Sequence, residues 1–271
     1  MNISKLSNKS TIAIVFILLA IVSLSTGYLG GIDVHDYADV AKFFAGKLSA
    51  DMRTSHSVLY SLIHAPLIYL FGSFIVMKIT SLLWLFLIIL SVYSISNKDK
   101  KTLLLMIFSP VVWYMAPWIN PIQLASLLFL WGFYFISKYD REQKHIYLIY
   151  SGILVGLSWA IWNTVFFVLI FLLLCFFYNR NINHLFIFLF FVLIGLLPNL
   201  ITDYILYGFA FYSLIKHIFA NVTVLLYGSI YPGVVQILNS FYNYLTFILM
   251  LPIFFYKIFS RESFNKRKRQ I

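Results

Sequence analysis

Residues 30–47 read GGIDVHDYADVAKFFAGK and form the most polar stretch of a chain that is otherwise dominated by apolar runs. The stretch holds three aspartates, one histidine and two lysines. Asp33, Asp36 and Val40 follow one another at a spacing of about one helical turn. This pattern predicts a short helix that presents acids at a membrane surface. The charges of this stretch are also compatible with an ordinary solvated loop, which is the alternative interpretation.

The composition indicates an all-α integral membrane protein. Hydrophobic residues make up 62% of the 271 residues and charged residues 11%, and the apolar runs repeatedly reach the length of a membrane span. The net charge of +11 comes from basic residues scattered among short loops and the C-terminal tail, where they act as orientation signals. Nucleic acid is therefore not an expected partner. The single cysteine, Cys175, excludes an intrachain disulfide and a cysteine-based metal cluster.

The first apolar run, residues 11–28, sets the orientation. It follows Lys5 and Lys9 and ends without a clear small-residue cleavage site, so it is interpreted as a retained helix. The positive-inside rule places the N-terminus in the cytoplasm and residues 30–47 outside.

Residues 57–96 are almost continuously apolar, which is too long for one spanning helix. The cluster NKDKK at residues 97–101 is strongly basic and belongs inside. Only residues 73–96 are therefore assigned as a span, and residues 57–71 as an amphipathic helix lying along the outer face.

The remaining spans alternate between basic inner loops and outer turns. With residues 11–28 and 73–96 they give eight predicted spans and two cytoplasmic termini, in a single membrane domain of residues 1–271. The other six cover residues 102–118, 121–137, 145–161, 163–178, 184–206 and 234–258.

Several short motifs follow one another along the chain. They are DVHDYADVA from Asp33, TSHSVLY from Thr54, Phe71-Gly72, Ser109-Pro110, the segment 152–156, Leu197-Pro198-Asn199 and Tyr207-Gly208. In order and spacing these motifs resemble the first module of the polytopic GT-C glycosyltransferases, of the mannosyltransferase-like kind. The resemblance covers about residues 10–215, and the chain is a short form for that family.

This resemblance implies transfer of a sugar from a polyprenyl-phosphate donor, such as a dolichyl phosphate sugar, to a lipid or protein glycan acceptor at the outer or lumenal face. The GT-C-like module is then residues 1–210 with an outer catalytic loop at 30–56, followed by an outer or re-entrant segment, a last span and a basic tail in 211–271. Such chemistry needs a carboxylate to accept a proton from the attacking hydroxyl. Asp33 matches the position of the family's loop acid, and Asp36 is its nearest rival.

A leaving phosphate also needs a cation. Lys78 is the first candidate, because a charge inside an apolar helix is costly, although a lysine that reaches the interface is an equal alternative. Arg53 offers bidentate contacts and is equally expected on the surface. His35, His56 and Asn120 are candidate substrate-binding residues, and a merely solvated side chain is the alternative for each histidine.

Asn120 stands in an outer turn where many relatives carry a second acid, and an amide cannot act as a base. Asp203 is a candidate replacement acid, or else a group that caps or pairs at the interface. No metal site is assigned from the residues, although some relatives use a divalent ion.

Two other functions stay open: a noncatalytic GT-C-like subunit or lipid-binding scaffold that works with a partner subunit, and, less favoured, a transporter. Membrane lipids are expected partners in each case. The frequent Phe, Ile, Asn, Lys and Tyr favour a prokaryotic plasma membrane over the ER.

Overall fold

The computed structural model describes residues 8–27, 33–48, 57–177 and 182–227, and all regular structure within these ranges is helical. The all-α prediction is confirmed there. The predicted span 234–258, the basic tail, Arg53 and His56 lie outside the described residues. The helices are α1 (Asn8–Ser25), α2 (Asp33–Phe44), α3 (Leu59–Phe71), α4 (Ile75–Ile95), α5 (Lys100–Ile107), α6 (Pro110–Met115), α7 (Pro121–Glu142), α8 (His145–Ile161), α9 (Val165–Phe177), α10 (Ile182–Tyr207) and α11 (Tyr212–Tyr227).

Two of the described helices, α4 with 21 residues and α10 with 26, are long and apolar enough to cross a membrane. The predicted span 102–118 is divided into α5 and α6. Pro110 begins α6 and the backbone of Ser109 is extended, as expected for a residue that precedes proline. The first half of this segment therefore ends as a helix at Ile107.

Helices α8 and α10 run parallel and pack closely because glycines face each other. A Cβ atom added to Gly156 would lie 2.1 Å from the carbonyl oxygen of Val192, and one added to Gly195 would lie 2.3 Å from that of Ile153. Both distances are far below a van der Waals contact. Only glycine at these positions permits the observed approach of the two backbones.

Helices α7 and α8 run antiparallel and are joined by serine hydroxyls. Ser151 donates to the carbonyl of Gly132 at 2.8 Å, and Ser158 donates to that of Ala125 at 2.7 Å. Small residues and hydroxyl donors are typical contacts between helices packed in lipid.

The helix directions define two ends of the bundle. The acidic end carries α2, the first residues of α4 and α7, the α8–α9 turn at residues 162–164 and the start of α11. The opposite end, called the basic end, carries the α4–α5 and α7–α8 connections. Its lysines and arginine are Lys98, Lys100, Lys101, Lys138, Arg141 and Lys144.

One face of α10 is apolar and exposed along the whole helix. Between Ile182 and Tyr204 this face extends for roughly 33 Å at the helical rise per residue, which is close to the thickness of a bilayer's hydrocarbon core, about 30 Å. The exposed residues are Ile182, Phe186, Phe190, Leu193, Leu197, Ile201, Tyr204 and Ile205.

Helix α3 turns its polar side inward. Ser61 and His64 are buried, whereas Leu62, Leu70 and Phe71 are exposed. The predicted amphipathic helix at residues 57–71 therefore exists, and its polar residues contact protein while part of its apolar surface faces outward.

Candidate functional site

Helix α2 confirms that the acidic stretch is helical. Asp33 is its first residue and His35 follows in the first turn. Asp36 and Asp39 are exposed, and Asp39 pairs with Lys42 at 3.1 Å. The opposite side of α2, with Tyr37, Val40 and Ala41, is buried. Both acids thus stand on the open face of the helix.

Helix α2 is attached to α3 by hydrogen bonds to backbone carbonyls near both of its ends. Ser61 donates to the carbonyl of Tyr37 at 2.9 Å. Lys47, just beyond α2, donates to the carbonyls of Ile68 and Tyr69 at 3.0 Å each. A cation at this place is favourable because it lies beside the negative, C-terminal end of the α3 dipole. These bonds fix the acidic helix on α3.

A buried polar layer joins α3 to α4. The hydroxyl of Tyr60 lies 3.0 Å from that of Ser81. The ring of His64 contacts the Tyr60 carbonyl through Nδ1 at 2.8 Å and the Thr80 hydroxyl through Nε2 at 2.7 Å. Burial lowers the pKa of His64, which favours the neutral ring. Since a carbonyl can only accept, the neutral ring carries its proton on Nδ1 and donates it to the carbonyl of Tyr60.

Lys78 is buried at the acidic end. Its ammonium group donates to the carbonyl of Thr26 at 2.6 Å, just after α1. Lys78, the cation predicted to bind the donor phosphate, therefore contacts the chain just after the end of α1.

Asn120 caps α7. Its side-chain oxygen accepts from the backbone N–H of Ile122 at 2.8 Å, and Pro121 occupies the first helical position. Both features are typical of a helix N-terminus.

The cap gives a testable expectation for Asn120. Asn120→Ala should lower the free energy of unfolding by about 1 kcal/mol, because it removes the cap, whereas Asn120→Asp should preserve it. Thermal unfolding of the two purified variants beside the wild type measures the difference. Equal melting temperatures for the wild type and Asn120→Ala would contradict the capping role.

A second polar network joins α3, α8, α10 and α11. The Ser57 hydroxyl contacts the carbonyl of Ala160 and, at 2.7 Å, the side-chain oxygen of Asn199. The amide nitrogen of Asn199 donates to the hydroxyl of Ser213 at 3.1 Å. Asp203 accepts from the Ser213 N–H at 2.9 Å and from its hydroxyl at 2.7 Å, both through Oδ2. Asp203 thus caps the start of α11. Capping was one of the two roles predicted for this residue.

Buried side-chain atoms without a hydrogen-bond partner concentrate at the acidic end of the described bundle. Residues 199, 203 and 207 are spaced four apart on α10 and therefore lie on one face of that helix. This spacing could have identified Tyr207 from the sequence. No such pattern marks Asn163. The atoms at this end belong to Ser23, Gln123, Trp159, Asn163, Asp203 and Tyr207. Both polar atoms of Asn163 are among them. Buried polar groups are normally paired, so this end of the described bundle holds unused hydrogen-bonding capacity.

Within the described ranges, no group of three or more His, Cys, Asp or Glu side chains is arranged to hold a metal ion. A divalent ion therefore stays a prediction that rests on the resemblance. No protein-family model matches this chain, and neither a curated protein nor a solved structure is detectably similar to it.

Proposed function

We propose that this chain is a multi-pass membrane protein of GT-C-like architecture, which transfers a sugar from a polyprenyl-phosphate donor to a lipid or protein glycan acceptor. In this proposal eight helices span a prokaryotic plasma membrane, the basic end and both termini face the cytoplasm, and the acidic end faces outward.

The surface chemistry supports insertion in a bilayer. Two helices have the required length and apolar character, and α10 exposes an apolar face about as long as a hydrocarbon core is thick. In water such a face would be costly to leave open. The excess of lysines at the basic end agrees with a cytoplasmic location.

The observation that carries the proposed reaction is the clustering of polar groups at the acidic end. Asp33 and Asp36 on α2, the buried Lys78 and most of the described buried atoms without a hydrogen-bond partner belong to this end. A carboxylate of α2 accepts the proton of the attacking hydroxyl. Lys78, with Arg53 from the loop, stabilises the phosphate that leaves as the carbon–oxygen bond to the sugar breaks. His35, His56 and Asn120 bind the sugar or the acceptor.

Two contacts favour a noncatalytic subunit as the second candidate. The ammonium of Lys78 donates to Thr26, and the amide oxygen of Asn120 is used as a cap. Each contact means that a residue predicted to bind substrate instead stabilises the fold. In that case a partner subunit would supply the catalytic groups.

The test is a transfer assay with radiolabelled polyprenyl-phosphate sugars in membranes that contain the full chain. Sugar transfer above that of membranes without the protein is expected for at least one donor. Absence of transfer from every donor by well-folded protein would overturn the enzymatic proposal and leave the noncatalytic subunit.

A further inference from the structure

We propose that Asn163, Asp203 and Tyr207 form a second polar subsite under the first two turns of α11, and that this subsite takes a neutral, hydroxyl-bearing group such as a sugar of the acceptor. The inference rests on the proposed function. It adds Asn163 and Tyr207 as binding residues and gives Asp203, which the sequence offered as an acid or a cap, a role in binding.

Contacts of α11 bring these residues together. Asp203 binds Ser213 through Oδ2. One turn later His217 Nε2 lies 3.2 Å from the hydroxyl of Thr164, the residue after Asn163. The α8–α9 turn and the end of α10 therefore meet the same two turns of α11, separated by about one helical pitch.

Tyr207 completes the group from α10. It stands four residues after Asp203, so the two positions are neighbours on one helix face. Its ring stacks on that of Tyr212, the first residue of α11, with ring centroids 4.1 Å apart. The aromatic pair thus lies where α10 and α11 join.

The three side chains hold unused hydrogen-bonding capacity. Asp203 Oδ1, Tyr207 Oη and both polar atoms of Asn163 are buried and have no hydrogen-bond partner among the described residues. Asp203 and Asn163 themselves are almost completely buried. Leaving such groups unpaired is costly, so a ligand or water that reaches them gains hydrogen bonds.

The mixture of donors and acceptors selects the ligand chemistry. The free carboxylate oxygen accepts, the amide both donates and accepts, and the phenol does either. A sugar's hydroxyls match this set, because each can donate and accept. Both hydrogen bonds to Asp203 come from Ser213, which carries no charge. The carboxylate would therefore repel a phosphate.

The network also links this subsite to the catalytic loop. Ser57, which follows directly on residues 49–56 of that loop, contacts Asn199, and Asn199 contacts Ser213. An acceptor held beside Asp203 would therefore bind where the end of the loop is anchored.

The test measures melting of the purified full chain, in a detergent without a sugar headgroup, with a panel of methyl hexopyranosides as probes. At about ten times the dissociation constant, a probe should raise the wild-type melting temperature by roughly 3 °C. Asp203→Asn can keep the cap on Ser213 through its remaining oxygen, yet it should lose this rise, as should Asn163→Leu. Asp39→Asn, on the exposed face of α2, is the matched control and should retain it.

Slower hydrogen exchange at residues 212–219 of the wild type with the probe gives a second readout that needs no variant. The inference is overturned if no probe shifts the wild type, if inorganic phosphate stabilises it instead, or if Asp203→Asn and Asn163→Leu respond as the wild type does. Because no donor is present, a positive result would stand even if sugar transfer failed.

Discussion

Asp33→Asn is expected to reduce sugar transfer at least about 100-fold, because the amide keeps the size of the carboxylate but cannot accept a proton. Asp33 begins α2, which Ser61 and Lys47 hold on α3. If Asp36 is the base instead, Asp36→Asn shows the large loss. Initial transfer rates at matched amounts of folded protein measure both variants.

Asp39→Asn is the control for this comparison. Asp39 is an exposed acid of the same helix and pairs with Lys42, so its neutralisation should change the rate less than about 3-fold, the scale of a weak surface ion pair. Full activity in both Asp33→Asn and Asp36→Asn would refute a catalytic carboxylate on α2. A uniform loss in all three variants would point to a general effect of charge.

Gly156→Ala is expected to lower the free energy of unfolding by about 3 kcal/mol, the upper part of the usual range for overpacking a close-packed interior. The new methyl group would lie 2.1 Å from the Val192 carbonyl oxygen and 2.9 Å from the Cα of Gly195. Both atoms belong to backbone, so no side-chain rotation relieves the clash. Helices α8 and α10 would have to separate, which also disturbs the Asp203 network at the end of α10.

Gly27→Ala is the matched control, because a Cβ atom there would meet none of the described residues within 4 Å. Thermal unfolding in detergent and the yield of monodisperse protein measure both variants. Equal melting temperatures for the two variants would show that α8 and α10 do not pack as closely as described.

Local pattern determined the helical elements. The predicted run 184–206 corresponds to α10 (Ile182–Tyr207), and residues 57–71 to α3 (Leu59–Phe71). The acidic stretch forms α2, as predicted, and α8 ends at Ile161, where the predicted span 145–161 ends. These features follow from apolar runs, helical periodicity and helix-breaking residues, all of which act over a few residues. Composition likewise sufficed to favour a membrane protein over a soluble one.

Only the tertiary structure decided which polar residues meet. Ser57 and Asn199 lie 142 positions apart in sequence, and Lys78 reaches Thr26 across 52. Such pairs depend on how closely whole helices approach, and that approach is set by small residues such as Gly156 that create no local signal of their own. Hydrophobic periodicity states which face of a helix is apolar, but it does not state which helix covers it. The acids of α2 were therefore visible in the sequence, whereas the Asp203 network required the folded bundle.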